Sequence, residues 1–220
     1  SAIADAHRAT HGARAIPRFR FDRADVVVAF EADFLGTWIS PVEFAAAYTR
    51  RRPRLHVQVE SRMTLTGSKA DRRIVVAPGE LGAAIAALVA RLASNAGHDV
   101  DAPAVPPGLT AETMDRLADS LWRARGRALV ACGSENVSLQ RLVNFANELL
   151  QAYGSTLDLT RPSRQRLGDD ASIARLTREL ETGAVGVLVT SGVNPIHELP
   201  EGGQWAELLT KVPVWVSVAE

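Results

Sequence analysis

Short apolar runs alternate with longer segments of helical periodicity along this chain. Six runs rich in β-branched residues predict strands at residues 26–30, 55–60, 74–76, 127–132, 185–190 and 214–218. Between them, apolar residues recur at helical spacing, as at Leu81, Ile85, Leu88 and Leu92. Strands that alternate with helices in this way are typical of parallel sheets, because a helix carries the chain back between neighbouring strands. The pattern therefore predicts an α/β fold with a largely parallel sheet.

Several helix ends are legible in the sequence. Ser40 followed by Pro41 and Glu43 has the composition of a capping box and predicts a helix to about Arg51. Thr110 opens a second predicted helix, in which Leu117 and Leu121 face inward. Three more helices are expected at residues 78–94, 138–153 and 172–182.

Residues 95–109 carry Gly, Asn, Asp and three Pro with little periodicity, which indicates a surface connection. We therefore predict a first α/β lobe at residues 1–95, a linker at 96–109 and a second lobe at 110–220. Each lobe is expected to be Rossmann-like, with three layers. The first has fewer strands than the usual five or six, so we expect missing upstream sequence to complete it.

Composition narrows the possible functions. The 25 Lys and Arg residues balance the 25 Asp and Glu residues, and no basic face indicates binding to nucleic acid. A single cysteine, Cys132, excludes an internal disulfide or a four-thiolate cluster within this chain, and we expect it to be a buried small hydrophobe. No apolar run is long enough to cross a bilayer, which predicts no direct membrane span.

The loops after the predicted strands are the places to look for function, because open α/β sheets bind ligands beyond the carboxyl ends of their strands. These loops are rich in Gly, Ser, Thr, Asn and Arg, which supply close backbone approach and hydrogen bonds. Ordinary turn chemistry explains the same residues. No G-x-G-x-x-G, P-loop or G-x-S-x-G motif occurs.

Other candidate groups have simpler explanations. His7 and His11, four residues apart, are expected to be an exposed pair rather than a zinc site, and no metal ligands are predicted. Trp122 and Trp215 are expected in the core. The apolar loop around Trp38 should pack under a neighbouring segment or a partner protein. The arginine run 50–52 is expected to be a solvated helix cap, with a phosphate contact as the alternative.

Three segments together resemble a known superfamily. They are residues 21–43 (FDRADVVVAFEADFLGTWISPVE), 59–73 (VESRMTLTGSKADRR) and 78–80 (PGE), with weaker support from 128–133 (ALVACG) and 188–195 (LVTSGVNP). This sequence resembles the molybdopterin oxidoreductases, which include dimethyl sulfoxide reductases and formate dehydrogenases. It is most similar to the iron–sulfur/molybdopterin-like B subunit of alternative complex III and related respiratory complexes.

The resemblance implies a set of site residues. In catalytic members, two such domains hold molybdopterin guanine dinucleotide on their strand-end loops. The positions in this chain that would bind the cofactor are Asp33, Glu60, Arg62, Thr64, Gly133, Gly192, Asn194 and Pro195. No catalytic residue is predicted.

The departures from the superfamily pattern bear on cofactor binding. Where relatives carry Gly-Ala-Asn-Pro, this chain has Glu31, Ala32, Asp33 and Phe34, so carboxylates stand where phosphates would lie. Where relatives carry an acid that reads the guanine, this chain has Glu80 followed by Leu81. We therefore expect that this chain holds no cofactor.

The leading hypothesis is a scaffold or docking domain within a membrane-associated respiratory electron-transfer complex. The resemblance implies iron–sulfur subunits as partners and a location on the periplasmic face of the bacterial inner membrane. The isolated chain is expected to be inactive. Two alternatives are part of an active molybdopterin guanine dinucleotide-dependent oxidoreductase, and a free-standing small-molecule α/β enzyme.

Overall fold

The computed structural model describes residues 1–101, 103–165 and 168–218. The chain forms two compact units, Ser1–Leu167 and Gly168–Glu220, called here the first and second units. The ends of the predicted second lobe, residues 219–220, and position 102 of the predicted linker lie outside the described residues.

The first unit is built on a four-stranded, wholly parallel sheet with the strand order β4-β3-β2-β5. Its strands are β2 (Val26–Phe30), β3 (Leu55–Glu60), β4 (Arg72–Val75) and β5 (Ala128–Cys132). Numbered along the chain within this sheet, the order is 3-2-1-4, which begins the Rossmann arrangement. The α/β fold with a mostly parallel sheet is confirmed.

Helices cover both faces of this sheet. They are α1 (Ala2–His11), α2 (Pro41–Arg50), α3 (Leu65–Lys69), α4 (Leu81–Asn95), α5 (Ala111–Arg123) and α6 (Val137–Leu149). Short 3₁₀ turns occur at Phe21–Arg23 and Pro78–Glu80. The predicted inward residues of α4 and α5 are all buried.

Strand alternation divides the core of the first unit into two layers. Val26, Val28 and Phe30 of β2 pack with the apolar faces of α4, α5 and α6. Val27 and Ala29 of the same strand face the opposite layer, where α1, α2 and a group of aromatic rings cover them. A parallel strand of this kind is buried on both sides, which explains its unbroken apolar sequence.

An additional antiparallel pair, β1 (Ile16–Phe19) with β6 (Leu157–Ser163), was not predicted. Each strand contains a proline, Pro17 and Pro162, and β6 is largely polar. Proline is tolerated at sheet edges but removes the usual strand signal from the sequence.

The second unit contains a two-stranded parallel sheet and three helices within its described residues. The strands are β7 (Val187–Ser191) and β8 (Val214–Val218), and the helices are α7 (Asp170–Glu181), α8 (Pro195–Glu198) and α9 (Gly202–Leu209). A small core forms around Leu180, Trp205, Leu208, Leu209 and Val212.

The division between the units differs from the predicted one. β5 belongs to the second predicted lobe, yet it pairs with β2 of the first along its full length. The predicted linker joins α4 to α5, and its Leu109 is buried in the same core as both helices. The proline-rich segment 96–109 is therefore a connection within the first unit, and the chain divides after residue 167.

Three local expectations are also corrected. The Ser40 side chain makes no cap bond to the start of α2, and Glu43 instead accepts a hydrogen bond from Arg18 Nε at 2.5 Å. Trp215 is 42% exposed because β8 is uncovered. Trp122 is half-buried, with the Arg125 guanidinium 3.9 Å from its ring centre.

Candidate functional site at the strand ends

The loops that follow β2 and β3 are joined through Asp33. Its Oδ1 accepts hydrogen bonds from the backbone nitrogen of Thr66 at 3.0 Å and from Thr66 Oγ1 at 2.8 Å. Thr66 Oγ1 in turn accepts from the backbone nitrogen of Leu35 at 2.9 Å, and Asp33 Oδ2 accepts from Thr37 Oγ1 at 3.3 Å. Asp33 thus holds two strand-end loops together.

Glu60, the last residue of β3, is fully buried. Its carboxylate accepts hydrogen bonds from Arg73 Nε and Thr64 Oγ1, both at 2.6 Å, from Thr64 N at 3.2 Å and from Gln58 Nε2 at 3.3 Å. Burial by itself raises the pKa of this carboxyl, but the hydrogen bonds outweigh burial and leave the pKa below its usual value. Glu60 is therefore an ionised group whose acceptor sites are used inside the protein.

The loops after β2 and β5 meet at the point where the strand order reverses, which is the usual ligand crevice of such sheets. Gly133 N donates to Phe30 O at 2.8 Å, and a Cβ added at Gly133 would lie 2.2 Å from Glu31 O. Glu31 adopts a left-handed φ of 51°, and its Oε1 accepts from Ser61 N at 2.6 Å. Glycine at 133 therefore serves close packing of two backbones.

A row of polar residues behind this edge was not identified from the sequence. His56, Gln58 and Glu60 alternate along one face of β3, and all three are fully buried. Tyr48 Oη lies 3.2 Å from His56 Nδ1, whereas His56 Nε2 and Gln58 Oε1 have no hydrogen-bond partner among the residues that the structure describes. Burial lowers the pKa of His56 to about 4, so the ring is neutral near pH 7. Polar residues at every second position of the LHVQVE run are the signal that could have revealed this face.

The predicted site residues fall into separate groups. Glu60 and Thr64 are in direct contact, whereas the Arg62 side chain is exposed. Gly192, Asn194 and Pro195 belong to the second unit.

Within the second unit these residues form a turn and a short helix. Gly192 has a φ of 62°, and its backbone nitrogen donates to Val218 O at 2.9 Å. Asn194 Oδ1 accepts from Ile196 N at 3.2 Å at the start of α8, and buried Pro195 is the first residue of that helix. In both units, residues predicted to contact the ligand form turns and helix caps, as Thr64, Gly192 and Asn194 do.

The apolar loop after β2 packs inside the first unit. The Phe34 ring is fully buried and stacks on Phe21 with ring centres 4.1 Å apart. Trp38 is half-buried against Phe19 and Phe44, at 4.7 and 5.9 Å between ring centres. This loop was predicted to pack under either a neighbouring segment or a partner protein, and the structure shows it packed against segments of its own unit.

Three predictions for reactive side chains can be compared with the structure. Cys132 is buried as expected, and burial raises the pKa of its thiol to about 11. His7 is not exposed: its Nδ1 lies 2.8 Å from Ile3 O, its Nε2 lies 3.1 Å from Tyr153 Oη, and burial lowers its pKa to about 4. Arg50, Arg51 and Arg52 are exposed as expected, and Arg51 and Arg52 in addition pair with Asp25 and Asp71.

The described residues contain no cluster of three His, Cys, Asp or Glu side chains able to hold a metal ion. In the same part of the chain, no helix has the length and apolarity needed to cross a membrane.

The geometry of the first unit does not fit a phosphorylated pterin. The carboxyl ends of β2 and β3 carry three carboxylates, Glu31, Asp33 and Glu60, and each already accepts hydrogen bonds from neighbouring protein groups. The backbone of Glu31 lies directly against Gly133, so the loops after β2 and β5 are in close contact there. An anion placed there would meet negative charge and would find the nearby donors Ser61 N and Thr66 N already bonded. No family model matches this chain, and no curated protein is significantly similar to it.

Proposed function

We propose that this chain is a cofactor-free α/β part of a molybdopterin-oxidoreductase-like subunit, and that it acts as a scaffold in a membrane-associated respiratory complex. The proposal rests on one observation: the carboxylates of Asp33 and Glu60 hold the strand-end loops together by hydrogen bonds within the protein. Both occupy strand-end positions where catalytic relatives would hold the cofactor. Asp33 accepts a hydrogen bond from Thr66, and Glu60 accepts hydrogen bonds from Thr64 and Arg73.

The chemistry of these contacts supports a structural role. Breaking an ion pair between a buried carboxylate and a guanidinium has a large free-energy cost, since removing either partner leaves an uncompensated charge. Releasing Glu60 to make room for a ligand would therefore cost several kcal/mol before any binding began. The strand-end loops are better suited to remaining closed than to admitting a substrate.

The sequence resemblance supplies the rest of the proposal: the respiratory complex, its iron–sulfur partners and its periplasmic location. Electron transfer would then run through groups held by other subunits. The present chain would contribute shape and contact surface. The hydroxyls that meet carboxylates at the strand ends, Thr64 with Glu60 and Thr66 with Asp33, lie in hydrogen bonds that hold the loops together, and the buried Cys132 thiol is protonated at neutral pH.

Metal and pterin analysis of the native full-length protein tests the proposal. We expect molybdenum and tungsten well below one atom per chain and no extractable pterin. Stoichiometric metal with pterin would overturn the scaffold function in favour of the active oxidoreductase.

A binding measurement on the present chain provides a second test. Calorimetric titration with GDP should give no heat of binding, because the carboxylates repel the diphosphate. A double variant, Glu31→Gln with Asp33→Asn, serves as the matched control, since it removes two charges and keeps side-chain size. Saturable GDP binding by the unaltered chain would contradict a closed strand-end edge.

A further inference from the structure

The edge of β7 that faces away from β8 is the open feature of the second unit. Within the described residues β7 pairs on one side only, with β8. Gly192 N donates to Val218 O, so the backbone groups of Thr190 and Leu188 point the same way, toward β8. In a β-strand successive backbone groups alternate in direction. The N–H and C=O groups of Val187, Val189 and Ser191 therefore lie along the open edge.

A cavity of about 260 Å³ runs beside this edge. Four consecutive residues of β7, 188–191, line it together with Ile173 and Leu176 of α7. Leu199 and Trp205 close it from the direction of α8 and α9.

Exposure and charge describe what would fit there. Val187 and Val189 are each 62% exposed, so one face of β7 presents apolar side chains to solvent. Glu198 is the one ionisable side chain among the described residues that line the cavity, and its Oε1 accepts a hydrogen bond from Asn194 N at 2.8 Å. A partner with apolar side chains at alternate positions and a basic residue nearby would match both features.

We propose that β7 is a strand-addition site, at which an extended segment of a neighbouring subunit, apolar at alternate positions and basic at one end, pairs with the β7 backbone. Its apolar side chains enter the cavity and its basic end meets Glu198. Main-chain hydrogen bonds provide affinity in such sites and the flanking pocket provides selectivity. This inference rests on the proposed scaffold function only in taking the segment from another subunit.

The probe is a fluorescein-labelled peptide, Lys-Val-Thr-Val-Thr-Val-Lys, titrated against the whole chain by fluorescence anisotropy. The control peptide, Lys-Val-Pro-Pro-Thr-Val-Lys, has the same charge, and its two adjacent prolines remove backbone donors from both edges of the strand. We expect saturable binding of the first peptide only. Equal binding of both peptides, or no binding of either up to millimolar concentration, would overturn the proposal.

Variants locate the binding. Val189→Pro removes one edge N–H without touching the β8 ladder and should weaken binding about tenfold. Val189→Thr keeps the N–H and nearly the same shape, so it should change the dissociation constant less than threefold. Glu198→Gln should weaken binding and flatten its dependence on salt. Circular dichroism of each variant checks that the fold is retained, and unchanged affinity in a folded Val189→Pro chain would refute the site.

Two other outcomes would also overturn the proposal. If sedimentation shows a dimer that Val189→Pro abolishes, the edge belongs to a second copy of this chain. If the peptide binds but Glu198 and Val189 variants leave its affinity unchanged, it sits elsewhere. A chain that lacks pterin and fails to bind the peptide contradicts strand addition alone, whereas pterin in the native protein contradicts the scaffold function whatever the peptide does.

Discussion

The two parallel sheets of this protein differ in how well their strands are covered. In the first unit every residue of β2 and β5 is buried, with helices on both faces of the sheet. In the second unit every residue of β8 is exposed, and β7 buries only Thr190. Parallel sheets normally have both faces covered by helices. The central strands of the first unit are thus covered within the unit, while the second unit offers surfaces that another chain can cover.

Polar residues follow the same division. The first unit buries ionisable side chains, among them Glu60, His56 and His7, and they form hydrogen bonds that join its elements. The second unit buries no ionisable side chain among its described residues. We infer that the first unit is stabilised mainly by contacts within itself, and that the stability of the second unit depends more on contacts with other chains.

The largest expected effect is the removal of the Glu60 charge. Glu60→Gln leaves Arg73 without its partner and should lower the free energy of unfolding by about 3–5 kcal/mol. Urea denaturation followed by far-ultraviolet circular dichroism measures the loss. The control is Glu112→Gln, which breaks an exposed ion pair with Arg116 on α5 and should cost less than about 0.5 kcal/mol. Similar losses in both variants would contradict a fastening role for Glu60.

Acidification should weaken the first unit through its two buried histidines. The pKa values of His7 and His56 are lowered to about 4 in the folded protein, against an ordinary value of 6.5. The unfolded chain therefore binds more protons between these values, so the stabilising contribution is complete above pH 6.5 and is lost as the pH falls to about 4. At pH 5 each histidine should cost about 2 kcal/mol relative to pH 7.

Thermal unfolding at a series of pH values tests this dependence. The variants His7→Gln and His56→Gln should each make the decline between pH 6.5 and 4 shallower. His98→Gln, at an exposed position, should leave it unchanged. A decline that persists undiminished when both buried histidines are replaced would assign it to other groups.

Backbone packing at the switch point gives a third contrast. Gly133→Ala places a Cβ about 2.2 Å from Glu31 O, so the loops must separate, at a cost of about 2 kcal/mol. Gly79→Ala is the matched control because no atom lies within 4 Å of its added Cβ. Chemical denaturation of the two variants compares them directly. Equal midpoints would show that the loops after β2 and β5 yield easily.

Much of the first unit could be predicted from the sequence, because its strands are buried on both faces and so appear as unbroken β-branched runs. The runs at residues 26–30, 55–60 and 127–132 each became a strand of one sheet. The same signal cannot tell which strands share a sheet. The proline-rich segment 96–109 resembled a linker, although burial of Leu109 ties it to the core of the first unit.

The candidate site was predicted in position but not in its contacts. The sequence singled out Asp33, Glu60 and Thr64 at strand ends, and the structure places all three in the hydrogen-bonded loops after β2 and β3. Their partners could not be predicted, because Asp33 meets Thr66 across a separation of 33 residues, and such a pairing depends on tertiary structure. The exposure of Trp215 was missed for a related reason: an apolar strand has the same sequence whether its partner belongs to its own chain or to another.

The smallest expected effect tests the comparison most directly, because it makes one substitution in two parallel strands. Val28 is fully buried in β2, whereas Val216 is 45% exposed in β8. Val28→Thr places a hydroxyl among apolar side chains and should cost about 1–2 kcal/mol, while Val216→Thr should cost less than about 0.5 kcal/mol. Native-state hydrogen exchange reports on each unit separately, and we expect lower protection in the first unit for Val28→Thr alone. If Val216→Thr lowered protection in the second unit by a comparable amount, the valines of β8 would already be covered within this chain. The strands of the second unit would then be as well buried as those at the centre of the first.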